Sequence, residues 1–394
     1  MQITLDIIQT LGIAILAFIL GNKIKEKSDF LRKFFIPSPV IGGLIVSFIV
    51  FLLKNIGKID IEFDSILQDF FMNIFFASIG LACSFKAIKK SGSLGLKLAL
   101  AIIILLPLQN ILAIGLSKIF HINPLYGVAM GSTSMTGGIG SAISFGKIME
   151  SYGAKNATEI GVASATFGLL VGSLVGGPVA LKLIVKHKLK SNNIKLEGKV
   201  SNGIESLDQK SLMRSIVIVG LASFLGTFIN KLLVLTNLNF PYYVGCQFGG
   251  LIVRNIYDYL KIDINIKSID TVGNISLSLF LSLALIALNI SAIVALALPM
   301  LVVMLGQAIF IAIYTSIVTF KISGSDYDAA VIAAGHCGVG LGQTPNAIAN
   351  MEAIIEKEGP ADVAMFVFPI VLAIAVNLFN PIVITFFINL VMII

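Results

Sequence analysis

Ten apolar runs recur along the chain, and its polar residues collect in the gaps between them. A helix crosses the hydrocarbon core of a bilayer with about 20 residues. By that rule the runs predict helices at 4–20, 38–54, 66–85, 96–119 and 158–185 in the first half, and at 212–236, 241–260, 269–290, 292–320 and 362–391 in the second. The longer runs have room to tilt. Two further segments, 125–150 and 329–357, are apolar but interrupted by glycine, so neither is a simple span. The pattern predicts an all-α integral membrane protein with ten transmembrane helices.

Composition agrees with that class. Of 394 residues, 57% are hydrophobic and 12% charged, and the mean hydropathy is +0.96. Soluble domains carry about 25% charged residues. The net charge of +7 does not point to nucleic acid, because the excess is lysine lying in the gaps between runs. There it reports membrane orientation. With the N-terminus outside, 22 of the 28 lysines and arginines fall in cytoplasmic loops. Both termini are therefore expected outside, and the basic stretch 186–211 inside. The run from Ile7 to Leu20 follows Asp6 rather than a basic region and lacks a small-residue cleavage site. It is expected to be a retained span, not a signal peptide. Cys83, Cys246 and Cys337 are scattered and odd in number, which fits neither a disulfide framework nor a zinc site.

Three landmarks repeat along the chain. Asn73 and Asn274 lie 201 residues apart, Gln109 and Gln307 198 apart, and the glycine clusters at Gly137 and Gly338 201 apart. Three matches in order at nearly one spacing indicate an internal duplication. Residues 1–185 and 212–394 read as two five-span repeats joined by the linker 186–211. Five is odd, so the second repeat enters the membrane upside down. Such inverted-topology repeats are common among secondary transporters.

The interrupted segments carry the candidate chemistry. The first reads GVAMGSTSMTGGIGSAISFGKIME and the second AAVIAAGHCGVGLGQTPNAIANMEAIIE. Each has two helical arms of about 10–12 residues, or roughly 15–18 Å, joined by glycines. That is half a bilayer, so each is expected to form a re-entrant hairpin, 125–150 from outside and 329–357 from inside. Backbone that leaves the helix at membrane depth must be buried in protein or line an aqueous cavity. A helix N-terminus offers free N–H groups and a positive dipole end to an anion. Free carbonyls at broken helix ends coordinate cations such as Na⁺. The expected substrate contacts at the first tip are Ser132, Thr133, Ser134, Thr136, Gly137, Gly138 and Gly140, with Ser141 nearby. Those at the second are His336, Gly338, Gly340, Gln343, Thr344 and Asn346. Pro345 suits the first turn of the following helix, where no N–H is needed. The other reading of such glycines is close helix packing. Two such segments at equivalent places in inverted halves favour a shared site for a small anion and a hard cation.

These residues resemble those of the bacterial sodium/glutamate symporter family. The stretch AAGHCGVGLGQTPNAIANM with YDAA before it is similar to that family's second hairpin, and ATFGLLVGSLVGGPVA (Ala165 to Ala180) to the span after its first. GNISLSLFL, NATE at Asn156 and IPSPVIGGL at Ile36 also match, so the resemblance covers nearly the whole chain. It implies Na⁺-coupled symport of L-glutamate or a similar small anion in the bacterial inner membrane. It also implies ten spans, two re-entrant loops, a homodimer, Na⁺ as coupling ion and no other cofactor. The first tip departs from the family pattern, with Ile139 where a polar residue is expected between the glycines.

Several residues keep two readings. His336 is either a substrate or proton contact or a packing histidine bonded to a carbonyl. It does not form a hydrolase pair with Cys337, because adjacent residues on a helix do not face each other. Position in the repeat makes Thr166 and Asn274, backed by Ser276 and Ser278, the candidate oxygens for Na⁺. Arg254 and Asp258, at i and i+4, are expected to pair, and Asp326 and Asp328 to flank the mouth of the second hairpin. The leading expectation is a Na⁺-driven glutamate symporter working by alternating access, with hairpins in a moving core. The alternatives are a Na⁺- or H⁺-coupled carrier for another small carboxylate and, in a different class, a glycine-lined channel. No residue set suggests an enzyme.

Overall fold

A computed structural model describes residues 2–57, 59–191, 208–236, 238–289 and 296–393, and it is nearly all helical. In chain order the first helices are α1 (Ile7–Lys27), α2 (Asp29–Lys33), α3 (Ser38–Gly57), α4 (Ile66–Ala82), α5 (Phe85–Lys90) and α6 (Gly92–Ile119). The first interrupted segment gives α7 (Pro124–Met130), α8 (Ser132–Met135) and α9 (Gly138–Ser151), and α10 (Ala157–His187) follows. The second half gives α11 (Gln209–Val234), α12 (Tyr242–Leu260), α13 (Ile266–Ile286) and α14 (Ala297–Tyr314). A π-helical turn, Thr315–Thr319, continues α14. Then come α15 (Tyr327–Leu341), α16 (Thr344–Glu358) and α17 (Asp362–Ile393).

Two details depart from the all-α expectation. Gln2–Thr4 is a strand, paired in parallel with Asp60–Glu62, so the first helix begins at Ile7 and not at residue 4. Asp6 sets that start: its carboxylate accepts the Gln9 N–H at 2.8 Å, and the Gln9 side chain accepts the Asp6 N–H at 3.0 Å. This reciprocal cap satisfies two otherwise orphaned donors. The run 66–85 divides, because Ser84 caps a separate short helix through the Ala87 N–H. Part of the expected span 292–320 and most of the linker 186–211 lie outside the described residues.

Among the described residues, nine helices are long and apolar enough to cross a membrane. The run 241–260, expected as a further span, forms helix α12, 19 residues long, which is not one of the nine. It carries Arg254 and Asp258, which pair at 3.2 Å with both side chains mostly buried. Helix α11 leaves Met213, Ile216, Leu221, Phe224, Phe228 and Leu232 exposed. An apolar face of that length is a liability in water and ordinary against lipid. The chain is a multi-pass membrane protein.

By backbone contacts the chain divides into two compact units, Met1–Ala82 with Leu207–Ala297, and Cys83–Ser206 with Leu298–Ile394. Neither half of the sequence is a unit by itself; each contributes to both. In the first unit, α4 crosses α12 closely enough that a side chain on Gly80 or Gly250 would strike the opposite backbone. Small residues allow this approach, which in lipid substitutes packing for the absent hydrophobic drive. The second unit is centred on α10, which packs against α9, α15 and α16. Its core joins Ala180 and Leu183 to Ala333, Ala347, Met351 and Phe368. Both interrupted segments lie in this unit.

Candidate functional site

The first interrupted segment breaks twice. Asn123 caps α7 through the Leu125 N–H at 2.9 Å, with Pro124 in the first turn. The chain leaves the helix at Gly131, makes the single turn α8, and breaks again at Thr136–Gly137 before α9. The second break needs glycine: Gly138 has φ +69°, a region costly for side chains with a Cβ. The backbone groups released here are taken up by neighbouring helices. Asn110 of α6 accepts the Ser132 N–H at 3.2 Å and donates to Ser132 Oγ at 2.7 Å. Asn380 of α17 donates to the Ser132 carbonyl at 3.1 Å. Ser134 donates to the carbonyls of Gly161, at 2.8 Å, and Ala129. Ser132, Thr133 and Ser134 are fully buried.

The second segment breaks once. Asp326 caps α15 through the Ala329 N–H at 2.8 Å. Gly338 and Gly340, expected at the tip, belong to the last turns of this helix, and the break falls at Gly342–Gln343. Pro345 is in the first turn of α16, as its missing N–H allows. The two arms pack closely: a Cβ on Gly338 would lie 2.7 Å from the Ala347 Cα. Asn346 fastens α16 to α10, donating to Leu169 O and to Ser173 Oγ, each at 2.7 Å. Asn350 donates to Gly172 O at 2.8 Å.

The two breaks meet. Gln109 of α6 accepts from the Thr136 hydroxyl at 2.7 Å and donates to Gly340 O at 2.7 Å. One buried amide thus holds both segments. Gln307, the landmark paired with it in the sequence, donates to the Gln109 carbonyl at 2.7 Å. A Cβ on Gly138 would stand 2.9 Å from Gln343 Nε2, so the second tip lies over the first. Among the described residues no group of three His, Cys, Asp or Glu could hold a metal ion. What this place offers a ligand is neutral: hydroxyls, amides, helix N-termini at α9 and α16, and the carbonyls ending α15.

The expected substrate residues are therefore gathered in one unit. Ser132, Thr133, Ser134, Thr136, Gly137, Gly138 and Gly140 lie along the first break. Gln343, Thr344 and Asn346 lie along the second, with Gly338 and Gly340 just before it. His336 sits deeper in α15. It is fully buried, with Nδ1 2.8 Å from Thr319 Oγ1 and its ring edge-on to Tyr314. Cys337 beside it meets Thr315 Oγ1 at 3.0 Å, so both pack on the π-helical turn. The expected cation residues belong to both units. Thr166 is in this unit, and its hydroxyl donates to Val162 O. Asn274, Ser276 and Ser278 lie on α13 in the other unit, and both serines donate to their own helix. Asn274 and Ser278 line a groove of about 390 Å³ with Phe18 and Thr271.

Gln109, Asn110 and Asn380 were not among the expected site residues. Gln109 appeared only as a repeat landmark. The signal available for all three was a polar amide in an otherwise apolar helix, which in a membrane is a default functional candidate. At the mouth of the second segment, burial raises the pKa of the Asp328 carboxyl, opposed by the Ala364 N–H it accepts at 2.8 Å.

Comparisons with known proteins bear on the whole chain. The family model described as sodium/glutamate symporter matches residues 3–360. A sodium/glutamate symporter of Escherichia coli K12 is 38% identical over 396 residues, covering 98% of both chains. One of Haemophilus influenzae is 34% identical over 390 residues, covering 96% of both. A solved sodium proton antiporter of Methanocaldococcus jannaschii superposes with a TM-score of 0.44 at 16% identity, over 98% of this chain and 96% of its own. That likeness is too loose to build on.

Proposed function

This chain belongs to the sodium/glutamate symporter family, a family of transporters and not enzymes, and from that premise we propose that it carries L-glutamate into the cell with Na⁺ as coupling ion. The observation that carries the reading is the buried meeting of two interrupted helices through Gln109. A dicarboxylate with one ammonium needs donors and acceptors in a site that excludes lipid. Helix N-termini and hydroxyls at the breaks supply donors, and the carbonyls at the end of α15 supply acceptors. Coupling then means that each ligand binds more tightly when the other is present.

In this reading α12 is the tenth span, and the two interrupted segments are re-entrant hairpins entering from opposite faces of the inner membrane. The termini are outside and the linker is cytoplasmic. Two points support an inverted duplication. Each half of the chain gives its first three spans to one compact unit and its remaining spans and interrupted segment to the other. The landmark glutamines Gln109 and Gln307 are also in direct contact. Alternating access follows by movement of the unit that carries both breaks, as in an elevator, and the protein works as a homodimer in lipid. Nothing in the site favours coupling to protons through His336, nor a pore.

The test is uptake of radiolabelled L-glutamate into proteoliposomes, with an inward Na⁺ gradient and with Na⁺ replaced by choline or K⁺. Saturable uptake that requires Na⁺ is expected. Uptake driven equally well by a proton gradient without Na⁺, or none by folded protein, would overturn the reading. In the second case Ile139 becomes the first residue to examine for a changed substrate.

A further inference from the structure

Two side-chain amides stand over the start of α9. A Cβ on Gly137, the N-cap residue of that helix, would lie 2.8 Å from Asn380 Nδ2 of α17. A Cβ on Gly138, the next residue, would lie 2.9 Å from Gln343 Nε2 of the second break. Adjacent backbone positions thus each carry one amide, and glycine at both admits them.

The helix start itself is bare. The first N–H groups of a helix have no intrahelical partner, and α9 has no side-chain cap, because its N-cap residue is glycine. The N–H groups of Gly138, Ile139 and Gly140 therefore favour an anion at this end. The hydroxyls nearby are already engaged: Ser134 donates to Gly161 O and Thr136 to Gln109 Oε1.

The two amides differ in what they have left to offer. Gln343 is the N-cap residue of α16, yet its side chain makes no cap bond to that helix; it reaches onto α9 instead. Asn380 is 2% exposed. Its Nδ2 donates to the Ser132 carbonyl at 3.1 Å, which fixes the amide's orientation, because a carbonyl can only accept. Its Oδ1 is left buried without a hydrogen-bond partner. A buried acceptor in that position calls for an explanation.

Resting on the reading of glutamate as substrate, we infer that the start of α9 seats the substrate's α-amino-acid group. The α-carboxylate takes the first-turn N–H groups of α9 together with Gln343 Nε2, and the ammonium donates to Asn380 Oδ1. An α-amino acid carries both groups on one carbon, and here the donors and the acceptor are offered side by side at Gly138 and Gly137. Asn380 is then a specificity-determining residue, since it reads the ammonium that a plain dicarboxylate lacks. Gln343 covers the site from the second break, so binding the carboxylate draws the two breaks together.

The experiment compares L-glutamate with glutarate, the same dicarboxylate without the ammonium, on the full chain. Glutamate is measured as the KM of Na⁺-driven uptake into proteoliposomes, and glutarate as its inhibition constant against that uptake. The rise in Tm of the purified protein with each ligand in NaCl reports binding apart from transport. The wild type is expected to prefer L-glutamate. Asn380→Ala should cut that preference at least about tenfold, because a charge-assisted hydrogen bond is lost for one ligand only. It should raise the glutamate KM and leave glutarate inhibition unchanged. The preference is a ratio, so it does not depend on how much of a variant folds. Gln343→Ala removes a carboxylate donor and should weaken both ligands alike. If Asn380→Ala weakens glutamate and glutarate by the same factor, or weakens neither, Asn380 only props Ser132, and the assignment is wrong while the function stands. If Gln343→Ala spares glutarate, the carboxylate is not at α9. If the wild type shows neither Na⁺-dependent glutamate uptake nor a Tm rise with glutamate, the reading of the substrate fails and this site falls with it.

Discussion

Around Gly131–Gly138 the hydroxyls of Ser132, Ser134 and Thr136 all have partners on neighbouring segments, and the segment is buried almost throughout. Around Leu341–Asn346 the same kind of break leaves Thr344 and Pro345 exposed, and Asn346 Oδ1 has no donor. The first break is closed by three amides from α6 and α17; the second is held to α6 by Gln109 alone and to α10 by Asn346 and Asn350. Two segments about 200 residues apart, alike in composition, thus differ in how far they are enclosed. The first is sealed, with the Thr133 hydroxyl and Asn380 Oδ1 unpartnered inside it, whereas the second reaches the surface at Thr344 and Pro345 and leaves Asn346 Oδ1 unpartnered.

The largest effect should come from cutting the tie between the two segments. Gln109→Ala leaves the Thr136 hydroxyl and the Gly340 carbonyl buried without partners, at about 1–3 kcal/mol each. It should lower the Tm and reduce uptake at least about tenfold, since 1.4 kcal/mol corresponds to a factor of ten. Gln109→Glu sharpens the comparison, because a carboxylate still accepts from Thr136 but cannot donate to Gly340. If the second segment is the responsive one, this variant should lose most of its coupling, read as the Na⁺ dependence of the glutamate KM. A Gln109→Glu protein with wild-type coupling would show that the tie matters only on the first side.

A smaller effect is expected at His336. Its one bond, to Thr319, joins α15 to the π-helical turn, so His336→Asn should cost about 0.5–1.5 kcal/mol of stability. The glutamate KM and the pH profile of uptake should be unchanged. A tenfold rise in KM would instead make His336 a ligand contact, and would extend the responsive region a full turn down α15.

The smallest effect concerns the mouth of the second segment. Burial raises the pKa of Asp328. A carboxyl raised on folding contributes stability that is present below its unfolded pKa and lost as pH rises through its folded value. Asp328→Asn should therefore flatten the rise in Tm seen when pH is lowered from 7 toward 4, with a slight gain at pH 7. If Tm varies with pH equally in both proteins, the carboxyl is not the cause, and the mouth is more open to water than its burial indicates.

Much of the fold could be read from the sequence. Most helix boundaries fell within a few residues of the apolar runs, and both interruptions lay inside the segments marked by glycine. The local breaks were less legible. Gly338 and Gly340 read as a tip but extend α15, because a well-packed helix tolerates glycine until a residue also lacks its next hydrogen bond, as happens before Pro345. Gln109 and Asn380 were hidden for another reason. A single amide in an apolar helix looks the same whether it bonds its own backbone, as Asn110 also does to Leu106, or a carbonyl 231 residues away.

The sequence by itself determined that this protein lives in lipid, where its backbone is interrupted, and which family it resembles. Those properties rest on local composition and on long, specific motifs, and a bilayer imposes a length on every span. Only the tertiary structure decided that each half of the chain is shared between two units, that one glutamine holds both breaks, and that Thr166 and Asn274 belong to different units. Those outcomes depend on which distant groups satisfy one another once water is excluded, and no local pattern encodes the choice.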